Sequence, residues 1–299
     1  MKKTWVRALL MGVVALVVLV ALAAALGVWL AQRKMERRVE LPVQPVTYRS
    51  DAGAIERGKY LYASRGCAEC HGNSGTGRIF LDEDNGLRIA GPNITNGPGG
   101  SVAAYQPVDW VRTIRHGVNP RGRALMIMPS EDYNRFTDDD LAAVVAYVRS
   151  LPPAAGEGAI VELPLPVRVL YGFGLIKDAA ARIDHSLPPE MPVPEGATAA
   201  HGRYVANMCL GCHGEGLAGG KIPGAPPDWP PAANLTPGEG SAMDRYPDAD
   251  AMIAMFRSGK RPDGSPIAVM PFASLREMSE TDLRALYLHL KALPPRPHG

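Results

Sequence analysis

Hydrophobic positions divide the chain into one continuous apolar run and two similar sets of short amphipathic segments. From Ala8 to Ala31 neither a charge nor a proline interrupts the chain. As a helix at 1.5 Å per residue this run is about 36 Å long, enough to cross a bilayer core. Further on, Leu141, Val144, Val145 and Val148 recur at helical spacing, as do Leu283, Leu286, Tyr287 and Leu290. That i, i+3, i+4, i+7 pattern predicts a helix with one buried face in each half. Each begins at a capping-box-like start, Thr137-x-x-Asp140 and Ser279-x-x-Asp282, and each stops at Leu-Pro-Pro. Shorter helices are expected at about 54–64 and 199–208, and at about 107–116 and 247–258. No run of alternating residues predicts a sheet, so the expected fold is all-α.

The two sets are copies. Leu151-Pro152-Pro153 recurs as Leu293-Pro294-Pro295, and Arg115-x-Gly117 recurs at the same offset as Arg257-x-Gly259. Gly58-Lys59-Tyr60 matches Gly202-Arg203-Tyr204 at a slightly wider offset, and Asn93-Ile94-Thr95 matches Asn234-Leu235-Thr236 at a slightly narrower one. Small insertions in loops account for the drift, and the pattern is that of a duplicated domain. The expected organisation is an anchor segment with flanking basic residues over 1–38, a first domain over 39–153, a linker over 154–196 and a second domain over 197–299. The linker is too long for a simple loop and too interrupted by proline to be one helix. It is expected to pack along both domains, with a membrane-surface or partner-docking segment as the alternative.

Charge sharpens the reading of the first segment. Residues 1–38 hold seven of the 32 Lys/Arg and one of the 30 Asp/Glu, so the rest of the chain is mildly acidic. This balance gives no support to nucleic-acid binding. Lys2, Lys3 and Arg7 precede the apolar run; Arg33, Lys34, Arg37 and Arg38 follow it. Positive charge on both sides leaves the orientation undecided. The run exceeds the usual core of a cleaved secretory signal, and a retained single-pass anchor is expected.

Candidate chemistry lies inside the repeat. All four cysteines belong to two C-x-x-C-H motifs, Cys67-Ala-Glu-Cys70-His71 and Cys209-Leu-Gly-Cys212-His213. Such a motif supplies two thiols for the vinyl groups of a c-type haem and an adjacent histidine for its iron. The second axial ligand must come from a remote loop. Met128-Pro129 follows His71 at the same interval as Met270-Pro271 follows His213. A thioether favours Fe(II) and raises the reduction potential, and a following proline disfavours helix at the methionine. The expected set is Cys67, Cys70, His71 and Met128 for one covalently bound haem c, and Cys209, Cys212, His213 and Met270 for a second. His71, Met128, His213 and Met270 would bind the irons. Met126 is a competitor for Met128; Met208, Met252, Met255 and Met278 read as packing. A four-thiolate zinc site would leave both histidines and both methionines unexplained, and a dithiol redox pair lacks its βαβ context. His116, whose counterpart is Ser258, is expected on the surface or near a propionate. Tyr60 and Tyr204 are expected beside each haem, and Trp110 and Arg112 either against a haem or in the core.

The strings "GKYLYASRGCAECHG", "GPNIT", "TIRHGVNPRG", "MIMP" and "DLAAVVAYVRSLPP", with their second-half counterparts, resemble the cytochrome c subunits of periplasmic alcohol, aldehyde and gluconate dehydrogenases. The resemblance covers residues 52–153 and 197–295. It implies class I cytochrome c domains, two in tandem here, with the haem domains in the periplasm; the apolar run adds an N-terminal transmembrane helix in the bacterial cytoplasmic (inner) membrane, a departure from those subunits. It further implies single-electron relay, without catalysis of its own, between a periplasmic dehydrogenase or quinol-oxidising complex and an acceptor such as a terminal oxidase. Those subunits usually bear three haems where this chain has two motifs. The alternative is a haem enzyme of the dihaem peroxidase or thiosulfate-oxidising type, which needs a displaceable axial ligand.

Overall fold

A computed structural model describes residues 2–226 and 228–299. Met1, with which the expected anchor segment begins, lies outside the described residues, as do the side chains of Lys2, Lys3 and Thr4. Helix α1 (Lys2–Glu36) contains the apolar run, and no residue of its most apolar stretch is buried by the rest of the protein. No soluble core accounts for such a surface, whereas a bilayer would.

The first repeat contributes α2 (Ala52–Ser64), α3 (Cys67–His71), β1 (Arg78–Asp82), β2 (Arg88–Gly91), α4 (Pro107–His116), α5 (Ser130–Tyr133) and α6 (Asp138–Ser150). After β3 (Ile160–Glu162) and α7 (Leu165–Phe173), the second contributes α8 (Ala199–Ala206), α9 (Leu210–His213), α10 (Ala249–Ser258), α11 (Phe272–Leu275) and α12 (Glu280–Ala292). Each repeat has its own core. Leu61, Trp110, Leu141, Val144 and Val145 are buried in the first, and Val205, Met252, Phe256, Leu283 and Leu286 in the second. Met255 and Met278 are buried with the latter group.

The same crossing organises both cores. In the first, α2 lies across α6, and a Cβ built on Gly58 would fall 1.9 Å from the carbonyl oxygen of Ala143. In the second, α8 lies across α12, and a Cβ on Gly202 would fall 1.9 Å from that of Ala285. The matched glycines are there because the helices touch backbone to backbone.

The protein is mostly helical, but a small antiparallel sheet of order β1-β2-β3 corrects the all-α expectation. Its strands are three to five residues long, and Ile89 pairs with Val161 of the connector. So short a strand, paired with one far along the chain, leaves no periodic signal. The connector touches both repeats: Glu195 approaches Arg57 at 3.4 Å, and Glu190 meets Arg135 and Arg203, each at 3.1 Å.

The starts of α6 and α12 depart from the local capping box. Thr137 and Ser279 accept from the backbone N–H groups of Asp140 and Asp282, as that motif requires. The aspartates, however, do not return to the cap N–H. The phenol of Tyr204 accepts from Thr137 N at 3.3 Å and donates to Asp140 at 2.6 Å. Reciprocally, the phenol of Tyr60 accepts from Ser279 N at 2.9 Å and donates to Asp282 at 2.6 Å. Each repeat thus inserts a tyrosine into the other's helix cap. This is the self-complementary exchange of a two-fold interface, made here within one chain. Their hydroxyls are committed to the opposite domain's caps, while the Tyr60 ring packs on the first core together with Cys67 and Met128.

The pseudo-symmetry is broken at these caps. Asp282, fully buried, also receives Arg65 Nη2 at 2.5 Å and pairs with His201 Nε2 at 2.7 Å. Asp140 has Arg57 instead, at 2.8 and 3.0 Å. The repeat counterpart of Arg65 is Asn207, whose side-chain nitrogen is buried without a partner.

Candidate functional site

Both C-x-x-C-H motifs sit in short helical turns that end at once. Gly72 and Gly214, each directly after the histidine, take φ of 72° and 74°. Glycine takes this conformation at little cost, so the chain can leave immediately. His71 Nδ1 lies 2.9 Å from the carbonyl oxygen of Pro92, and His213 Nδ1 lies 2.8 Å from that of Ala233. Donation to the carbonyl assigns the proton to Nδ1 and keeps the Nε2 lone pair free for a metal. Burial pushes both imidazole pKa values below the usual range, so the neutral, ligating form is favoured.

The two carbonyls are themselves held by residues whose role the sequence did not reveal. Asn93 Oδ1 accepts from Thr95 N at 2.8 Å while its Nδ2 donates to Ala154 O at 2.9 Å. In the second repeat Asn234 Oδ1 accepts from Thr236 N at 2.9 Å, and Nδ2 donates to Arg296 O at 2.8 Å. Both asparagines are buried. They brace the histidine-holding loop against the segment that leaves the last helix. The repeated Asn-x-Thr was the only signal for them.

Cys67, Cys70, His71 and Met128 line one cavity, whose walls include Tyr62, Ile94, Trp110, Tyr133 and Val144. The lining is almost wholly apolar. Met126 also reaches this cavity, so the competition with Met128 is spatial as well as sequential. In the second repeat Cys209 and Met270 pack against the buried core with Met208 and Leu210. The Met-Pro turns match: Pro129 and Pro271 have φ/ψ of −79°/60° and −79°/69°, and each is followed by a four-residue helix.

The first repeat's residues fit a c-type haem, and the second repeat supplies the same residue types with the same histidine and Met-Pro geometry. An apolar slot, two thiols, an oriented neutral imidazole and a thioether in one cavity are the donor set and surroundings that the group needs. The thiols do not suit the alternatives. Burial pushes the Cys67 and Cys209 thiols up to about 12, so neither is a ready thiolate nucleophile. Among the described residues, no group of three or more His, Cys, Asp or Glu side chains converges as a metal cage.

His116 is buried, against expectation, with its Nδ1 3.0 Å from Nδ1 of His185 in the connector. Arg112 lies at the domain surface, 3.6 Å from Asp109. Trp110 lines the first cavity and donates from Nε1 to Tyr48 Oη at 3.2 Å.

Tertiary packing adds a relation between the two sites. Glu69, inside the first motif, accepts from Ser274 N at 3.0 Å and Oγ at 2.6 Å. Gly211, inside the second, donates to Asp132 Oδ1 at 2.9 Å. Ser274 and Asp132 each lie one helical turn after the methionine of the opposite repeat. Each attachment motif therefore abuts the Met-bearing loop of the other domain.

Comparison with known proteins agrees with this geometry. The family model described as "Cytochrome C oxidase, cbb3-type, subunit III" matches residues 53–148 and again residues 196–290. The chain is 26% identical over 281 residues to the fructose dehydrogenase cytochrome subunit of Gluconobacter japonicus, covering 85% of this chain and 56% of the relative. It is 26% identical over 282 residues to the cytochrome c subunit of a quinone-dependent alcohol dehydrogenase of Gluconobacter oxydans, covering 84% and 57%. A gluconate 2-dehydrogenase cytochrome c subunit of Pantoea cypripedii is 26% identical over 271 residues, covering 80% and 59%. The chain thus spans under two thirds of the length of these relatives. With its donor sets repeated inside two copies of the matching domain, the chain belongs to the cytochrome c family described as cytochrome c oxidase, cbb3-type, subunit III.

Proposed function

We propose that this protein is a membrane-anchored dihaem c-type cytochrome that relays single electrons in the bacterial periplasm. Cys67, Cys70 and His71 would hold the first haem with Met128, and Cys209, Cys212 and His213 the second with Met270. The two repeats, over 39–153 and 197–299, would be class I cytochrome c domains joined by the connector at 154–196. Bound haem supplies a one-electron Fe(III)/Fe(II) couple; the protein sets its ligands, polarity and neighbours.

The observation that carries this reading is the reciprocal contact of motif and Met-bearing loop across the domain interface, Glu69 with Ser274 and Asp132 with Gly211. Two sites so placed suit transfer from one to the other. Oriented imidazoles and Met-Pro loops suit a closed coordination sphere with no place for substrate. The single helix α1 would anchor the chain in the inner membrane over residues 1–38, with the haem domains outside the cytoplasm, where covalent haem attachment takes place in bacteria. By analogy with the relatives the donor is a periplasmic dehydrogenase. A quinol-oxidising complex is the other candidate donor, and a terminal oxidase a candidate acceptor.

The ferric absorption spectrum of the purified holoprotein tests the ligation. Methionine-to-iron charge-transfer bands from both haems are expected. A persistent high-spin haem would sink the relay reading in favour of a haem enzyme. Co-purification from mild detergent, with mass-spectrometric identification, tests the donor: a dehydrogenase subunit is expected, and recovery with a terminal oxidase alone would reject it.

A further inference from the structure

Helix α1 is not a free tether. Ala24, Gly27, Val28, Ala31 and Met35, at helical spacing, form a face covered to differing degrees, whereas the rest of the apolar run from Trp5 onward is largely exposed. The partner of that face is α7. A Cβ built on Gly27 would fall 2.9 Å from Val169 Cγ1, and one on Gly172 would fall 1.9 Å from the carbonyl oxygen of Gly27. Two helices meet here backbone to backbone through small residues, as membrane helices do. Polar contacts lock the crossing from the haem-domain side. Lys34 Nζ donates to Tyr171 O at 2.9 Å, and Arg37 forks onto Asp178 at 2.6 and 2.8 Å. The phenol of Tyr171 donates to the same carboxylate at 2.8 Å.

The outward surface of α7 and the turn after it is apolar. Leu165, Leu170, Phe173 and Leu175 are 58%, 40%, 47% and 72% exposed. Position along α1 says what covers them. The run Ala8–Ala31 is about 36 Å long against a hydrocarbon core of about 30 Å, so Gly27–Ala31 falls near the boundary with the headgroups. Trp29 is there, half exposed, with the Arg33 guanidinium 5.0 Å from its ring centroid. An aromatic ring followed by basic residues is the signature of the membrane–water interface. The apolar surface of α7 is therefore continuous with the lipid-facing surface of α1 at the depth where acyl chains end.

We infer that Leu165–Leu175 is a membrane foot: α7 lies in the interfacial layer of the bilayer beside the anchor, with Leu165, Leu170, Phe173 and Leu175 in contact with lipid. The inference rests on the reading of α1 as a retained anchor. Its consequence is orientation. The connector carrying α7 is bonded to the first domain through His185–His116 and Arg182–Glu131, and to both domains through Glu190. Anchor, foot and haem domains then move as one body, and one fixed face of the domain pair is turned toward the membrane.

The test uses the full haem-loaded chain in phosphatidylcholine–phosphatidylglycerol liposomes. A lipid-partitioning diazirine is photolysed and labelled peptides are identified by mass spectrometry. Label is expected in the 8–31 and 165–175 peptides but not at Leu288, which is 42% exposed on α12 of the second domain. The double variant Leu170→Asp/Phe173→Asp should lose the 165–175 label while the 8–31 label and the haem spectrum are unchanged. Labelling of 165–175 no greater than that of Leu288, with 8–31 labelled, overturns the foot and leaves the anchor standing. If 8–31 is missing by cleavage, the anchor reading fails and the foot beside it falls too, even where 165–175 is labelled. If neither peptide is labelled, both fall.

Discussion

Replacing Asp282 with asparagine should loosen the two domains and weaken the fold most where it is acid-sensitive. The carboxylate is fully buried between the repeats, with Arg65 Nη2 at 2.5 Å, Tyr60 Oη at 2.6 Å and His201 Nε2 at 2.7 Å. Burial alone would raise its pKa; the Arg65 charge and the three hydrogen-bond partners outweigh that and hold it at about 2. Against an ordinary value of 3.8, this depression corresponds to about 2–3 kcal/mol in favour of the folded state at neutral pH. Because the folded pKa is the lower one, the contribution is present above about pH 4 and is lost as pH falls toward 2. Asp282→Asn keeps the shape but leaves the Arg65 guanidinium buried without its counter-charge, and Asp282→Ala should cost more, about 3–5 kcal/mol. At about 2–4 °C per kcal/mol for a protein of this size, the asparagine variant should melt about 5–10 °C lower at pH 7. The assay is thermal unfolding of the holoprotein in detergent by circular dichroism, repeated from pH 7 down to 2.5. The deficit should shrink below pH 4. A loss no larger than that of Asp250→Asn, an exposed acid paired with Arg284, or a deficit that does not diminish in acid, would refute the reasoning.

Tyr60→Phe removes both the acceptor for Ser279 N–H and a donor to Asp282, and should destabilise by about 1–3 kcal/mol in urea unfolding, with Tyr204→Phe showing a similar loss at Asp140. Met128→Leu should abolish one of the two methionine-to-iron charge-transfer bands and lower the potential of one haem in a potentiometric titration, leaving the other unchanged. His116 is held to a pKa of about 4 by burial, with repulsion from His185 and Arg115 adding to it. Between about pH 6.5 and 4 the unfolded chain binds a proton that the folded one refuses, so this site costs stability as pH falls through that window. His116→Gln should flatten the slope of melting temperature against pH there, and an identical slope would contradict the assignment.

The sequence was most informative where a feature is local or strictly periodic. Pro107–His116 was expected and is α4, because proline at the first turn and glycine after the last are position-specific signals. The stripes Leu141–Val148 and Leu283–Leu290 lie on α6 and α12. The C-x-x-C-H motifs, with equal intervals from His71 to Met128 and from His213 to Met270, point to haem by local spacing alone. The first cavity gathers Cys67, Cys70, His71 and Met128 together.

What the sequence did not reveal are choices of partner over long separations. Thr137-x-x-Asp140 and Ser279-x-x-Asp282 read as local boxes, yet each cap N–H is satisfied by a tyrosine of the opposite repeat. The sheet needed a strand from the connector, and His116 needed His185, 69 residues away, to explain its burial. Backbone periodicity and cap chemistry are set by neighbours a few residues apart, so the sequence alone determined the three repeated helices of each half, the duplication and the candidate donor residues. The meeting of one motif with the other's methionine loop, and of α7 with α1, depends on which surfaces remain to be buried once the helices exist. Only the tertiary structure decided these contacts.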